Sequence, residues 1–296
     1  MHFMVVDWVV RRWGRLGIAT GVAAVMGVAH HRGNATLVLV LVSALITGGL
    51  YAGLGFAALG NLRFASMWRQ QMTWDVYRDR VWEPHETDMA AQTEQMRKVE
   101  ARVANFATAH GLERITLAVT GAGIGGAGAA ESARSSRTFG HIELGHFWFF
   151  PDGVASLPHV VEHELAHIHR NDSVRHILWN SGTAAGSVGC AGLLPLPYAA
   201  VAIAALFALH AAASWWRELA CDTIAARQCG RIAAEPAMTH LLNERRALPI
   251  RLRYASAVTA LRSHPPLLLR HWWIRLAPAL PRTDQAAPIA SWDIGR

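Results

Sequence analysis

Charge is scarce in this chain. Only 17% of its 296 residues are Asp, Glu, Lys or Arg, against roughly 25% in an ordinary soluble domain. With 52% hydrophobic residues, that scarcity excludes intrinsic disorder and argues against a simple soluble globule. Cysteine is almost as rare. Cys190, Cys221 and Cys229 are an odd number without a CxxC pair, which excludes a disulfide framework and a zinc ribbon. Met1-His2-Phe3-Met4 lacks a basic n-region, and Arg11 and Arg12 follow the first apolar run, so no secretory signal peptide is expected. Internal repeats are absent too. Net charge is +7, yet the arginines form no run interleaved with aromatics, so no nucleic acid is expected as a partner.

The arginines instead flank long uncharged stretches. Ala35 to Gly60 carries no charge, and neither does His176 to Trp216, which Pro195-Leu196-Pro197 breaks near its middle. About 20 apolar residues cross a bilayer, so the second stretch reads as two spans joined by a tight turn. Leu16–Ala29 is a shorter candidate. The expected fold class is therefore mainly α, a multi-pass helical membrane protein. Residues 1–62 form a first membrane hairpin and 176–216 a second. The polar parts are 63–175 and 217–296, with a poorly ordered tail from about 278. Arg11, Arg12, Arg15, Arg63, Arg69, Arg170, Arg175 and Arg217 lie on one side of these spans. The positive-inside rule then places the polar parts in the cytoplasm, with the lipid bilayer as a partner. Gly49 and Gly53 spell GxxxG, a candidate helix-packing face.

Within the polar parts, residues 88–109 read as an amphipathic helix, with Met89, Met96, Val99, Val103 and Phe106 near helical spacing. Ile115–Thr120 and His141–Phe150 read as strands, and Pro151-Asp152-Gly153 as a turn. A further helix starts with Ser156 as N-cap and Pro158 in its first turn. Gly121-Ala-Gly123-Ile-Gly-Gly126 spells GxGxxG after a strand. Its surroundings are only Gly, Ala and Ile, and no second βαβ unit follows, so it reads as a loop and no dinucleotide is expected.

The informative segment is His159-Val-Val-Glu162-His163-Glu164-Leu-Ala-His167-Ile-His-Arg-Asn171-Asp172. His163-Glu164-x-x-His167 is HExxH. Residues i and i+4 on a helix lie about 40° apart around its axis, so both imidazoles can reach one metal ion. Glu164 then stands beside the ion, where it can take a proton from water. His159-x-x-Glu162-His163 spells the inverted motif HxxEH, and helical geometry alone does not choose between the frames. Arg217-Glu218-x-x-x-Asp222 favours HExxH. Glu218 can supply the third ligand, and Asp222 on the same face can brace a ligand His. Without HExxH the same pair would read as solvated acids on a juxtamembrane helix.

HELAH with Asn171-Asp172, then Arg217-Glu218-x-x-x-Asp222, then His264-Pro265-Pro266-x-x-x-Arg270, with two spans between the first two motifs, resembles membrane zinc metalloproteases of the HtpX and CAAX-prenyl protease type. The resemblance runs from about residue 85 to 271. It implies a gluzincin-like α+β zinc metalloprotease domain that cleaves membrane or membrane-associated proteins. It also implies Zn2+ on His163, His167 and Glu218, Glu164 as general base, and Asp222 as partner of a ligand His. His264 is placed either on the tetrahedral intermediate or in a structural role. Cys221 and HELAHIHRND are similar to the protease domain of β-lactam sensor receptors. The family's Asn-Ala-Phe edge strand is not recognisable around Arg134–Phe139. Two other readings compete. A site-2-type intramembrane protease would bury HExxH in lipid, which His169, Arg170, Asn171 and Asp172 oppose. A non-proteolytic zinc-binding receptor or scaffold would have no need of Glu164.

Overall fold

The structure is a computed structural model. It describes residues 15–69, 86–120, 130–134, 136–247, 249–251, 253 and 264–276. The glycine-rich run 121–126 and the tail from 278 lie outside these residues. The described chain is mainly helical, with one three-stranded sheet. It divides into two compact units, one holding the residues up to Ala58 and Val174–Ser214, the other Leu59–Ser173 and the residues from Trp215.

The first unit is built from α1 (Arg15–His31), much of α2 (Leu37–Arg69), most of α6 (Asp172–Leu193) and the first half of α7 (Leu196–Cys229). Its exterior is strongly apolar, while its interior mixes a small core of Met26, Val40 and Val188 with buried polar groups. Thr47, Ser181, Thr183, Ser187 and His210 are buried, whereas Leu41, Leu45, Ile46, Leu50, Val201 and Phe207 are exposed. The hydroxyls of Thr47, Ser181, Thr183 and Ser187 each donate to the carbonyl four residues earlier, so the helices satisfy these groups internally. Two segments, Leu37–Gly60 and Leu196–Cys229, are long and apolar enough to cross a membrane. At 1.5 Å per residue the 17 residues of α1 reach about 25 Å, short of a 30 Å hydrocarbon core. The polar side chains of α6 dilute its apolar character.

The GxxxG face is not the packed one. Nothing lies within 4 Å of where a Cβ on Gly49 or Gly53 would stand, whereas a Cβ on Gly48 would come 3.1 Å from Ala185 and one on Gly55 2.8 Å from Ile177. Gly48 and Gly55 are seven residues apart and share a face, while Gly49 and Gly53 are rotated off it by about 100° or more. The small residues that admit α6 are thus a different pair from the one the motif names.

The second unit surrounds the sheet with order β1-β3-β2. β1 (Arg114–Thr120) runs parallel to β3 (Phe139–Gly145), and β2 (Ala130–Arg134) is an antiparallel edge. α3 (Glu86–Ala109) buries Met96, Val99, Val103 and Phe106. These join Ile142 and Leu144 of β3 and Val161, Leu165 and Ile168 of α5 (Leu157–Arg170) in one core. The core takes one face of α5 and leaves the opposite face for chemistry.

Three local expectations change. The strand expected over His141–Phe150 ends at Gly145, and His146–Phe149 is a 3-10 turn followed by α4 (Pro151–Val154). Trp148 and Phe149 are both buried, which strand alternation forbids on a single buried face. The turn chemistry of Pro151–Gly153 is absorbed into α4, and a Cβ on Gly153 would stand 2.3 Å from the Phe147 carbonyl, so only glycine fits. Ser156 precedes α5 but makes no side-chain cap, because its backbone is already helical. β2 was not legible at all. Ala130-Glu-Ser-Ala-Arg134 has poor strand propensity, and its pairing with β3 creates it.

α8 (Arg231–Ala247) and α9 (Leu267–Leu276) complete the unit, packing through Ala234, Ala237, Met238 and Ile274.

Candidate metal centre

α5 ends at Asn171, which adopts the left-handed conformation (φ 54°, ψ 44°) and donates its N–H to the carbonyls of His167 and Ile168. Asn tolerates this region better than most residues, and such a cap turns the chain sharply. The turn delivers Asp172 to the helix it has just left. The Asp172 carboxylate lies 3.0 Å from His167 Nδ1 and accepts from Arg170 Nε at 3.2 Å.

The C-terminal part of α7 supplies the other wall. Glu218 and Asp222 are both buried. Asp222 Oδ1 lies 2.9 Å from His163 Nδ1. The same carboxylate accepts from Arg270 of α9 through Nε at 2.8 Å and Nη2 at 2.7 Å. This bidentate pair holds Asp222 in one orientation.

With both Nδ1 atoms turned to carboxylates, the Nε2 atoms face inward. His163 Nε2 and His167 Nε2 lie 3.1 Å apart. Glu218 Oε2 is 3.6 Å from the first and Oε1 is 3.5 Å from the second. Three lone-pair acceptors converge there, an arrangement that only a cation or a proton between them relieves. A tetrahedral ion with ligand bonds of about 2.0–2.1 Å sets its donors roughly 3.3 Å apart. The observed spacings of 3.1–3.6 Å, with the two Glu218 distances running to different carboxylate oxygens, leave room for one metal ion among these donors. Among the described residues, His163, His167 and Glu218 are one of three groups that could hold a metal ion; the others are His159, His163 and Asp222, and His167, Asp172 and Cys221. Those two draw on Asp222, already bound by Arg270, and Asp172, bound by Arg170. Only the first group keeps both bracing carboxylates free for bracing.

The two frames of the motif separate at Glu162. Its carboxylate is buried and accepts from Arg102 of α3 through both Nε and Nη2, the latter at 2.8 Å. Both of its oxygens are therefore engaged by the guanidinium. Glu164 is also buried, but among the described residues no hydrogen bond or salt bridge engages its carboxylate. It belongs to the face that carries the two histidines.

Electrostatics follow the same partners. Burial works against a charged His163, but Asp222 and Glu218 outweigh it and raise the pKa to about 10. Asp172 is lowered although burial opposes it, because His167 and Arg170 favour its charge. His264 is half exposed just before α9, with Nε2 3.8 Å from Glu218 Oε2. The fold thus brings His163, His167, Glu218, Asp222 and His264 into one cluster, and Glu164 follows His163 on the same helix.

Sequence reasoning missed three partners. Asp172 braces His167, Arg270 orients Asp222, and Arg102 occupies Glu162. Asp172 carried a signal, five residues past His167 of HExxH at a helix end. Arg270 stood within a quoted motif but had no assigned role, and Arg102 carried no signal. No family model matches the chain, and neither a curated protein nor a solved structure does.

Proposed function

We propose that this protein is a membrane-bound zinc metalloendopeptidase that hydrolyses peptide bonds in membrane or membrane-associated proteins. One observation carries the reading: two imidazoles and a carboxylate converge within 3.6 Å, each ring backed at Nδ1 by a second carboxylate, beside Glu164, whose carboxylate has no hydrogen-bond partner among the described residues. A bound zinc ion supplies Lewis acidity and lowers the pKa of water at the site. Asp222 and Asp172 keep each imidazole in the tautomer that leaves Nε2 free and strengthen it as a ligand. Glu164 accepts the proton of the attacking water and returns it to the leaving amine. A structural metal site would gain nothing from such a carboxylate.

The edge of the sheet suits a peptide substrate. β2 is packed against α5 and, among the described residues, pairs only with β3. Apart from the Arg134 N–H, which donates to Ser173 Oγ at 3.1 Å, its outer edge offers backbone groups to an extended chain. The apolar exterior of the first unit supports the bilayer as its solvent; the uncharged stretches and the arginines that flank them support four spans in two hairpins with the catalytic unit cytoplasmic.

The test is metal analysis beside casein cleavage in detergent. Wild type is expected to hold one zinc per chain and cleave casein, and Glu164→Gln to keep the zinc and lose cleavage. Undiminished cleavage by Glu164→Gln at normal zinc content would remove the assignment.

A further inference from the structure

Beyond the metal centre, the second unit carries an apolar groove of about 500 Å³. Its walls include Trp216 and Ile224 of α7 and Trp273 and Leu276 of α9, and Arg170 and Arg227 also line it. The two indoles meet edge to face with centroids 6.3 Å apart, and Trp273 Nε1 donates to Thr223 Oγ1 at 2.9 Å. That hydrogen bond fixes the wall in place. No carboxylate lines the groove among the described residues.

The helix beside it has two unlike faces. α9 turns Arg270 and Ile274 into the protein, while Leu268, Trp272 and Leu276, at positions i, i+4 and i+8, are exposed. A short helix with an outward stripe of Leu and Trp is the pattern of one lying in a membrane interface. Trp216 itself is exposed and directly ends the uncharged run of α7, the depth at which tryptophans collect.

We infer that this groove binds a bilayer phospholipid with an anionic headgroup, its acyl chain between Trp216 and Trp273 and its phosphate on Arg227, since Arg170 is held by Asp172. The inference rests on reading α7 as membrane-spanning. Charge decides the headgroup. Both ionisable residues of the lining are cationic, and Arg227 is exposed at the C-terminal end of α7 with no acidic partner among the described residues. Each arginine near an anionic lipid surface contributes about fivefold in affinity.

Native mass spectrometry of the full chain in detergent tests this, with phosphatidylglycerol and phosphatidylcholine of matched acyl chains. Wild type is expected to retain one phosphatidylglycerol at least about fivefold more tightly than phosphatidylcholine. Arg227→Gln is expected to remove about that factor of preference, weakening phosphatidylglycerol more than phosphatidylcholine, whose choline already offsets the phosphate charge, and Trp273→Ala to weaken both lipids. Zinc content of each variant reports folding and tests the metal centre separately. Extraction without detergent would instead defeat the membrane reading. Equal retention of the two lipids by wild type, no effect of Arg227→Gln, or full competition by glycerol 3-phosphate would overturn the lipid site.

Discussion

Glu162 and Glu164 are neighbours on one helix, and their replacement by glutamine is expected to give opposite phenotypes. Glu162 is 3% exposed and grips Arg102, itself 11% exposed, through two hydrogen bonds. Removing one partner of such a buried pair costs about 3–5 kcal/mol, and glutamine, which keeps one acceptor, places the loss near 3 kcal/mol. For a unit of this size that lowers the thermal midpoint by roughly 6–12 °C. Zinc binding and cleavage per folded molecule are expected to survive, because Glu162 touches neither the ligand atoms nor the reacting water. Glu164→Gln breaks no pair, so its midpoint is expected to stay within about 1 °C of wild type. Its turnover falls by the 10²–10⁴-fold typical of a lost general base. Differential scanning fluorimetry and casein cleavage, run on both variants below the lower midpoint, read the two axes separately. Loss of turnover in Glu162→Gln with a full rate in Glu164→Gln would refute the reasoning and make HxxEH the catalytic frame.

Glu218→Ala is expected to lower zinc occupancy and cleavage together, measured by metal analysis after dialysis, since two imidazoles remain. Asp222→Ala is expected to go beyond the usual 10–100-fold loss of metal affinity. It also strands the buried Arg270 guanidinium, so the thermal midpoint falls with it, whereas Asp222→Asn keeps most of the stability. The metal-free protein is expected to lose stability as pH rises. His163 is raised from 6.5 to about 10 in the fold, so its contribution is complete below about pH 6.5 and gone above about pH 10. Urea titrations across that window check it, and a flat profile would show that His163 holds no extra proton. Cysteines placed near Leu196 and near Arg231 are expected to label from outside and inside the cell respectively, and the reverse pattern would invert the topology.

Local periodicity made much of this protein readable. The helix over 88–109 and the helix carrying HExxH follow from apolar residues at helical spacing, which buries Met96, Val99, Val103 and Phe106 on the first and Val161, Leu165 and Ile168 on the second, while the Met89 side chain lies outside the described residues. The Pro195–Pro197 break separates α6 from α7 where two helices were expected. Strand β2 escaped notice because nothing in Ala130–Arg134 favours a strand until β3 lies beside it. The end of β3 was misplaced because consecutive apolar residues at 147–149 look alike in a strand and in a tight turn.

By itself the sequence determined which residues share a helix face: His163 with His167, and Glu218 with Asp222. Both pairs follow from the 100° rotation per residue that every α-helix imposes. Only the tertiary structure decided what those faces meet. Whether Glu162 or Glu164 is left unclamped depends on Arg102, 60 residues away. The orientation of Asp222 depends on Arg270, 48 residues on. Contacts across such separations arise from the packing of whole elements, and no short window of sequence encodes which guanidinium reaches which carboxylate.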